Sequence, residues 1–558
     1  MKKNYLLFAV LCCLCSVTQA QKKAKTSTAS SVYPATIDRP KLVIGLVVDQ
    51  MRWDYLYRYY DRYSNGGFKR LINDGFSAEN TFIPYTPTYT AVGHSSIYTG
   101  SVPAITGIVG NDWYDPTLRR SVYCTEDTTV TSVGSNTLAG KMSPRNLFSS
   151  TITDELRLAT NFKGKVIGIS LKDRGSILPA GHTPTGAYWY DGQTGDWITS
   201  TYYMQQLPAW VQEYNKLKMA DKYYAQNWNT LYPIESYTQS TADNKQYEGK
   251  TKGEEGPIFP HPLKLYAGKN YDMIRSTPYG NTITLDLAKK AIAAEELGKD
   301  NITDFLAVSC SSTDYIGHQY GPNSIEAEDT YLRLDKDLED FFNYLDKTVG
   351  KGNYLLFLSA DHGAAHVPGF MTENKLPGGV IDNKAIASKL NTFLESKFNV
   401  KKPVLRAMNN QIIYNHANQD LAKIDFTAMK AATVEFLRTQ EGFANAIDLS
   451  RISETTLPQI QKEMISNGYN PLRSGDVYFI LQPNWFDGGN TGTTHGAWNP
   501  YDAHIPLVFM GWNVKPGKTN KTYHMTDIAA TLAAMLHIQM PSGSIGVAIT
   551  ELTHQQNK

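Results

Sequence analysis

Six metal-capable side chains stand just beyond, or just before, apolar runs in this 558-residue chain. Leu42–Val48 runs directly into Asp49, and Phe305–Ser309 leads to Asp314 and then His318, a D-x-x-x-H pattern. Tyr354–Ser359 leads to Asp361-His362-Gly363, and His495, within Gly492-Thr-Thr-His-Gly, lies upstream of Ile505–Met510. Each signal is weak alone: Asp49 could cap a helix, and Asp-His-Gly could be an ordinary turn. Together, three aspartates and three histidines so placed favour a metal site. Six ligands exceed the three or four of one zinc site, so two metals are the economical reading. Three imidazoles with no suitable thiolate pair favour zinc over an all-oxygen magnesium or calcium site.

A nucleophile for such a site stands in Thr86-Pro-Thr-Tyr-Thr90-Ala-Val-Gly-His94, a proline-containing approach to a helix expected through Ile97 and Tyr98. A threonine at a helix N-terminus is ordinarily a cap. The same position suits an alkoxide, because metal coordination lowers a hydroxyl pKa and the helix end favours phosphate. Asn111 could donate to an oxyanion. Lys172-Asp-Arg174 follows Val166–Leu171, and its two cations would share a face if extended. Arginine offers phosphate a bidentate fork and lysine a point charge, although an isolated K-x-R is ordinarily a solvated pair.

Positioning these groups needs strands. Leu42–Val48, Val166–Ile169, Phe305–Ser309, Tyr354–Ser359 and Ile505–Met510 suit strands buried on both faces, as in a parallel sheet covered by helices. A helix is expected from Asn323, with Glu326 as capping partner and Tyr331, Leu334, Leu338, Phe341 and Leu345 facing the sheet. Strand–helix alternation predicts an α/β, doubly wound sheet flanked by helices, whose ligand site lies beyond the carboxyl ends of the strands. Two insertions interrupt it. Residues 181–275 are rich in aromatics, with thirteen Tyr or Trp over 188–237, and either cap a site or pack on the core. Residues 371–475 form the second, with helices expected near 383–397 and 427–440.

Composition bounds the rest. With 41% hydrophobic and 19% charged residues, and 54 Lys+Arg against 53 Asp+Glu, the chain is neither disordered nor a polybasic binder. Nucleic acid is therefore not expected as a specific partner. Lys2, Lys3, the apolar run Tyr5–Val17 and Thr18-Gln19-Ala20 read as a signal peptide over 1–20, with a tether over 21–40. A lipoprotein reading of Cys12, Cys13 or Cys15 is weaker, because their neighbours Leu11 and Leu14 are not small. Cleavage near Ala20 leaves Cys124 and Cys310, enough for one disulfide or two thiols. The mature chain is expected to be periplasmic or secreted, without a transmembrane segment, and monomeric.

Seven segments then carry a resemblance: GLVVDQMRWDYLYRYY from Gly45, PTYTAVGH from Pro87, GIVGNDWYD from Gly107, SLKDRGSILPAGH from Ser170, STDYIGH from Ser312, SADHGAAH from Ser359 and GTTHGAWNPYDAHIPL from Gly492. Through them, 41–558 resembles the alkaline phosphatase superfamily, specifically the bacterial phosphate-irrepressible alkaline phosphatases of the PafA type. The resemblance implies an alkaline-phosphatase-like fold, two zinc ions, and hydrolysis of small phosphate monoesters through a covalent phosphothreonine at Thr90. It implies Asp49, Asp361 and His362 as ligands of the zinc that also binds Thr90. Asp314, His318 and His495 are implied as ligands of the second zinc, and Asn111, Lys172 and Arg174 as holders of the non-bridging phosphate oxygens. A phosphodiesterase or nucleotide pyrophosphatase is the near alternative on the same scaffold. A sulfatase is disfavoured, since position 90 is Thr rather than the Cys of C-x-P-x-R. An inactive surface-binding protein using the aromatic insertion is the alternative of another class. His94, His366 and His504 are expected to be structural or supporting.

Overall fold

All seven residues of the first strand, β1 (Leu42–Val48), are buried, which is why its sequence is continuously apolar rather than alternating. The computed structural model describes residues 37–251 and 253–553, so the signal peptide and most of the tether lie outside the described residues. From Arg39 onward the chain forms one compact unit. Ten further strands join β1 in a single sheet. They are β2 (Phe76–Phe82), β3 (Ser132–Val133), β4 (Val166–Ser170), β5 (Gly186–Asp191), β6 (Asp196–Ser200), β7 (Asp304–Cys310), β8 (Tyr354–Ser359), β9 (His504–Ile505), β10 (Leu507–Gly511) and β11 (Gly517–His524). Their order is β9-β2-β10-β8-β1-β7-β4-β5-β6-β3, with β11 alongside β2.

The centre of this sheet, β8-β1-β7-β4-β5, is parallel, while β10 runs antiparallel between β8 and β2. The sheet is therefore mixed, with a doubly wound parallel core. β1 lies between two strands that come more than 250 residues later, with Leu42 opposite both Asp304 and Tyr354. The loops leaving β1, β7 and β8 are thus side by side at one edge, although they are far apart in sequence.

Four helices matter for the site: α1 (Thr90–Thr99), α2 (Asp173–Ala180), α3 (Ser312–Tyr320) and α4 (Ile325–Leu345). In α4, Tyr331, Leu334, Leu338, Phe341 and Leu345 are all buried, as their spacing predicts. Its N-cap is Ser324, whose hydroxyl accepts from the Ala327 amide. Glu326 does not close a capping box from Asn323; it is fully buried, 3.2 Å from His261 Nε2.

Within 181–275, Tyr188-Trp189-Tyr190 and Trp197 belong to β5 and β6 and are buried. Tyr214, Tyr224, Trp228 and Tyr237 are buried as well, so most of these aromatics pack as core. Residues 371–475 hold the expected helices, at Asn383–Phe398 and Phe426–Arg438. These cover a separate four-stranded sheet ordered Val404–Met408, Gln411–Tyr414, Val477–Leu481, Phe443–Asp448, whose third strand lies beyond 475. This lobe has its own apolar core, including Leu390, Leu394, Met429 and Phe479. Its first hairpin turns at Asn409 and Asn410, both left-handed (φ 54° and 59°), a conformation asparagine tolerates. The turn reaches back to the main body: Asn409 Nδ2 donates to Asp112 O at 2.8 Å and Asn410 Nδ2 to Gly496 O at 3.0 Å. Cys124 and Cys310 are buried free thiols.

Candidate active site

The six metal-capable residues meet where β1, β7 and β8 end. Asp314 lies in the first turn of α3 and His318 one turn later, so D-x-x-x-H places both on one face, with His318 Nε2 3.2 Å from Asp314 Oδ1. His362 Nε2 is 3.4 Å from Asp361 Oδ2 and 3.7 Å from Asp49 Oδ1. His495 Nε2 is 3.7 Å from Asp314 Oδ1, and its ring stacks on His362 with centroids 3.5 Å apart. Asp49, Asp361 and His362 can offer ligand atoms all within 4.8 Å of one another, and so can Asp314, His362 and His495.

The three imidazoles share one orientation. His318 Nδ1 is 2.8 Å from Thr493 O, His362 Nδ1 is 3.0 Å from Gly363 O, and His495 Nδ1 is 2.6 Å from Thr88 O. A carbonyl only accepts, so each Nδ1 carries a proton and each Nε2 faces the carboxylates; burial opposes a charge on His318, but Asp314 outweighs it and raises that ring's pKa. Asp49 Oδ1 and Asp361 Oδ2 are buried and accept no hydrogen bond from the described residues. Buried carboxylate oxygens without donors, beside imidazole lone pairs, fit cations and fit little else.

The charges are unevenly shared. Burial and neighbouring Asp361 raise the Asp49 pKa well above the carboxylate range. Burial also opposes ionisation of Asp314 and Asp361, but His318 and Lys172 outweigh it at Asp314, and His362 and His94 at Asp361, so both fall below that range. Burial lowers the pKa of His362 and, with its neighbouring histidines, that of His495, keeping both neutral as ligands require.

Thr90 is the first residue of α1 and only 1% exposed, with Oγ1 3.4 Å from His362 Nε2. Helix α1 has no side-chain N-cap among the described residues, and Asn111 Oδ1 accepts from Ala91 N at 3.0 Å. With its oxygen so used, the Asn111 amide has two N–H donors left. Lys172 Nζ is 2.7 Å from Asp49 Oδ2 and 2.6 Å from Asp314 Oδ2. Burial disfavours its charge, but Asp314 and Asp49 raise its pKa above the usual lysine value. Lys172 and Arg174 do not share an extended face, because α2 starts at Asp173, where an acidic side chain suits the helix dipole. Arg174 Nη1 donates to Tyr123 OH at 2.9 Å, and that hydroxyl donates to Asp173 Oδ1 at 2.9 Å; Arg174 Nε is buried without a partner among the described residues.

Other residues complete the arrangement. His94 Nδ1 lies 2.9 Å from Thr90 O and 3.3 Å from Asp361 Oδ2, while its Nε2 meets Ser309 Oγ at 2.9 Å. Its place one turn after Thr90 was the only sign of this. Gln50 donates through N to Asp361 Oδ1 at 3.1 Å and through Nε2 to Asp314 Oδ1 at 2.7 Å. Nothing in its sequence context marks it beyond its position after Asp49. Asp502 Oδ2 accepts from Gly496 N at 2.9 Å and Ala497 N at 2.7 Å, and its carbonyl accepts from Gly363 N at 2.7 Å. His366 instead pairs with Asn323 Oδ1 at 2.6 Å, and His504 stacks on Trp53 and bonds Glu79 O at 2.8 Å.

The profile of the family described as Type I phosphodiesterase / nucleotide pyrophosphatase matches residues 43–502. Alkaline phosphatase PhoV of Synechococcus elongatus is 60% identical over 552 residues, covering 99% of this chain and 100% of its own. A Myroides odoratus protein named a calcium-transporting ATPase is 57% identical over 524 residues, covering 93% of this chain and 96% of its own. Among the described residues no helix is long and apolar enough to cross a membrane. A crystal structure of alkaline phosphatase PafA matches with a TM-score of 0.91 and 51% identity, covering 93% of this chain and 99% of that one. The chain belongs to the type I phosphodiesterase / nucleotide pyrophosphatase family of the alkaline phosphatase superfamily, beside the PafA and PhoV alkaline phosphatases.

Proposed function

We propose that the chain is an exported alkaline phosphomonoesterase that hydrolyses small phosphate monoesters through a phosphothreonine at Thr90. The observation that carries this is a buried threonine hydroxyl at an uncapped helix N-terminus, 3.4 Å from an imidazole of a buried Asp/His set. Asp49, Asp361 and His362, with the Thr90 oxygen, would hold one zinc ion, and Asp314, His318 and His495 a second. When bound, such ions supply Lewis-acid activation of hydroxyl and water and charge stabilisation at the leaving oxygen.

Thr90 Oγ1 gives up its proton to solvent and attacks phosphorus in line, while the bond from phosphorus to the ester oxygen breaks and that oxygen takes up a proton from solvent to leave as the alcohol. Water then attacks the phosphothreonine, releasing inorganic phosphate and restoring the hydroxyl. The first-turn amides of α1 and the Asn111 amide place donors toward the non-bridging oxygens. Arg174, held by Tyr123, and Lys172 add the positive charge that a dianionic monoester rewards. His94 holds the Thr90 carbonyl beside Asp361 and so fixes nucleophile and ligand relative to each other. Residues 1–20 act as the signal peptide of a periplasmic or secreted monomer.

The test is kinetics on a monoester and a diester sharing one leaving group, with metal content measured on the same sample. The proposal expects about two zinc per chain and a higher kcat/KM on the monoester. A diester preference would move the assignment to phosphodiesterase. One zinc, or magnesium alone supporting full activity, would overturn the two-zinc centre.

A further inference from the structure

Gln50 follows Asp49 directly and is 4% exposed, yet its backbone is left-handed, with φ 62°. It stands third in the turn that ends β1, where Met51 N donates to Val48 O at 3.2 Å. A left-handed third position ordinarily takes Gly or Asn, because a β-carbon is crowded there. Residues held in such a conformation persist where their surroundings fix them, and they cluster at functional sites.

The surroundings of Gln50 are the two ligand sets. Its side-chain amide is wedged against α3: Nε2 donates to Asp314 Oδ1 at 2.7 Å, and a β-carbon on Gly317 would collide with Oε1. Gly317 therefore leaves the gap in which this amide fits. Asp314 Oδ1 is the oxygen that faces two imidazoles, 3.2 Å from His318 Nε2 and 3.7 Å from His495 Nε2, while Oδ2 takes Lys172. The Gln50 main chain acts on the other set. Its N–H donates to Asp361 Oδ1 at 3.1 Å, beside the His362 N–H at 3.0 Å, so Oδ2 is the oxygen left to face His362 Nε2 at 3.4 Å. Gln50 is thus bonded to one carboxylate of each set, through different atoms.

We propose that Gln50 is a positioning residue for the metal centre: its side-chain amide sets the Asp314 carboxylate for an ion held with His318 and His495, and the left-handed backbone is tolerated to place that amide. A donor fixed on Asp314 Oδ1 leaves that oxygen's remaining lone pair toward the imidazoles; without it, the carboxylate is free to turn toward Lys172. The inference rests on the two-zinc reading.

Gln50→Gly separates the two roles, because it keeps the N–H to Asp361, suits the left-handed backbone and removes only the amide. The test titrates zinc into metal-free wild type and variant against a chromophoric chelator, with thermal melts alongside. The wild type is expected to bind two ions. In the variant one ion is expected to keep wild-type affinity and the other to weaken by about 10- to 100-fold, the scale of a partner lost from behind a metal ligand. The metal-free melting temperature is expected to change by no more than a few degrees. Gln50→Met, which keeps the side-chain length without a donor, is expected to show the same selective loss and serves if the glycine variant does not fold. Wild-type affinity at both sites, or equal weakening of both in a folded variant, overturns the positioning role. A wild type that binds fewer than two ions instead sinks the two-zinc reading itself.

Discussion

Lys172 shows how much one side chain does in this centre. Its ammonium bridges Asp49 and Asp314, which belong to the two different ligand sets proposed above. It therefore supplies charge where the phosphoryl group must sit, and it does so from the residue just before the helix that carries Arg174. Removing either cation should cost monoester turnover more than diester turnover, because only the dianion has the extra charge to reward them. A loss of about 10- to 100-fold in monoester kcat/KM is expected for Lys172→Ala and for Arg174→Ala, the scale of a charge-assisted hydrogen bond. Equal losses on both ester types would count against the monoesterase assignment. At position 90, Thr90→Ser should keep substantial activity and Thr90→Ala nearly none; steady-state rates decide it, and a rapid alanine variant would end the covalent route. The six acidic and imidazole residues that the structure brings together were legible as a candidate site from their places beside the apolar strands. Gln50, Tyr123 and Asp502 were not, since amides, phenols and carboxylates acting through hydrogen bonds have no spacing rule.

Loops, rather than strands, hold the site's precision, and Asp502 ties three of them. Its carboxylate takes the Gly496 and Ala497 amides next to His495 and stands 3.4 Å from Thr88 Oγ1, while its carbonyl takes the Gly363 amide next to His362. Asp502→Ala should therefore loosen two histidine ligands together with the approach to Thr90. We expect a fall of about tenfold or more in zinc affinity and in kcat, with Asp502→Asn, which keeps one acceptor, losing less. Competition with a chelator while activity is followed would check this, and unchanged zinc affinity in the alanine variant would rule it out. The strands feeding these loops were readable as apolar runs, and α4 was readable from its 3.6-residue period. The start of α2 was not, because Lys172-Asp173-Arg174 has no apolar period to separate helix from extended chain. The reach of the Asn409-Asn410 turn to Asp112 and Gly496 was equally hidden, being a contact between residues 297 and 86 positions apart.

At the scale of the whole molecule, burial of acidic groups sets how stability responds to pH. The aromatic stretch over 181–275 was read as either a cover for the site or core; most of its rings pack as core, and Trp228 and Phe259 lie against His261 in a buried charged cluster. His261 lies between Glu254 at 3.3 Å and Glu326 at 3.2 Å. Burial opposes its charge, but these two carboxylates outweigh burial and lift its pKa to about 9. Glu248, buried beside Glu326, is pushed up to about 9 as well. Both folded values exceed the unfolded ones, so the folded chain binds more protons than the unfolded chain in the interval between. The His261 contribution is complete below about pH 6.5 and lost as pH rises through 9. Folding likewise becomes less favourable as pH rises from the ordinary glutamate range through 9, where Glu248 must ionise while buried. The lowered pKa values of Asp314 and Asp361 act in the opposite sense, but that stability is already complete above the ordinary carboxylate range. The melting temperature should therefore fall by several degrees between pH 6.5 and 9.5. Glu248→Gln, which keeps the shape and removes the ionisation, should flatten that decline. Thermal melts across this pH range, with zinc held constant and saturating, measure it directly. A melting temperature that rises toward pH 9.5, or a decline that Glu248→Gln leaves as steep, would show that the cluster does not set the alkaline limit.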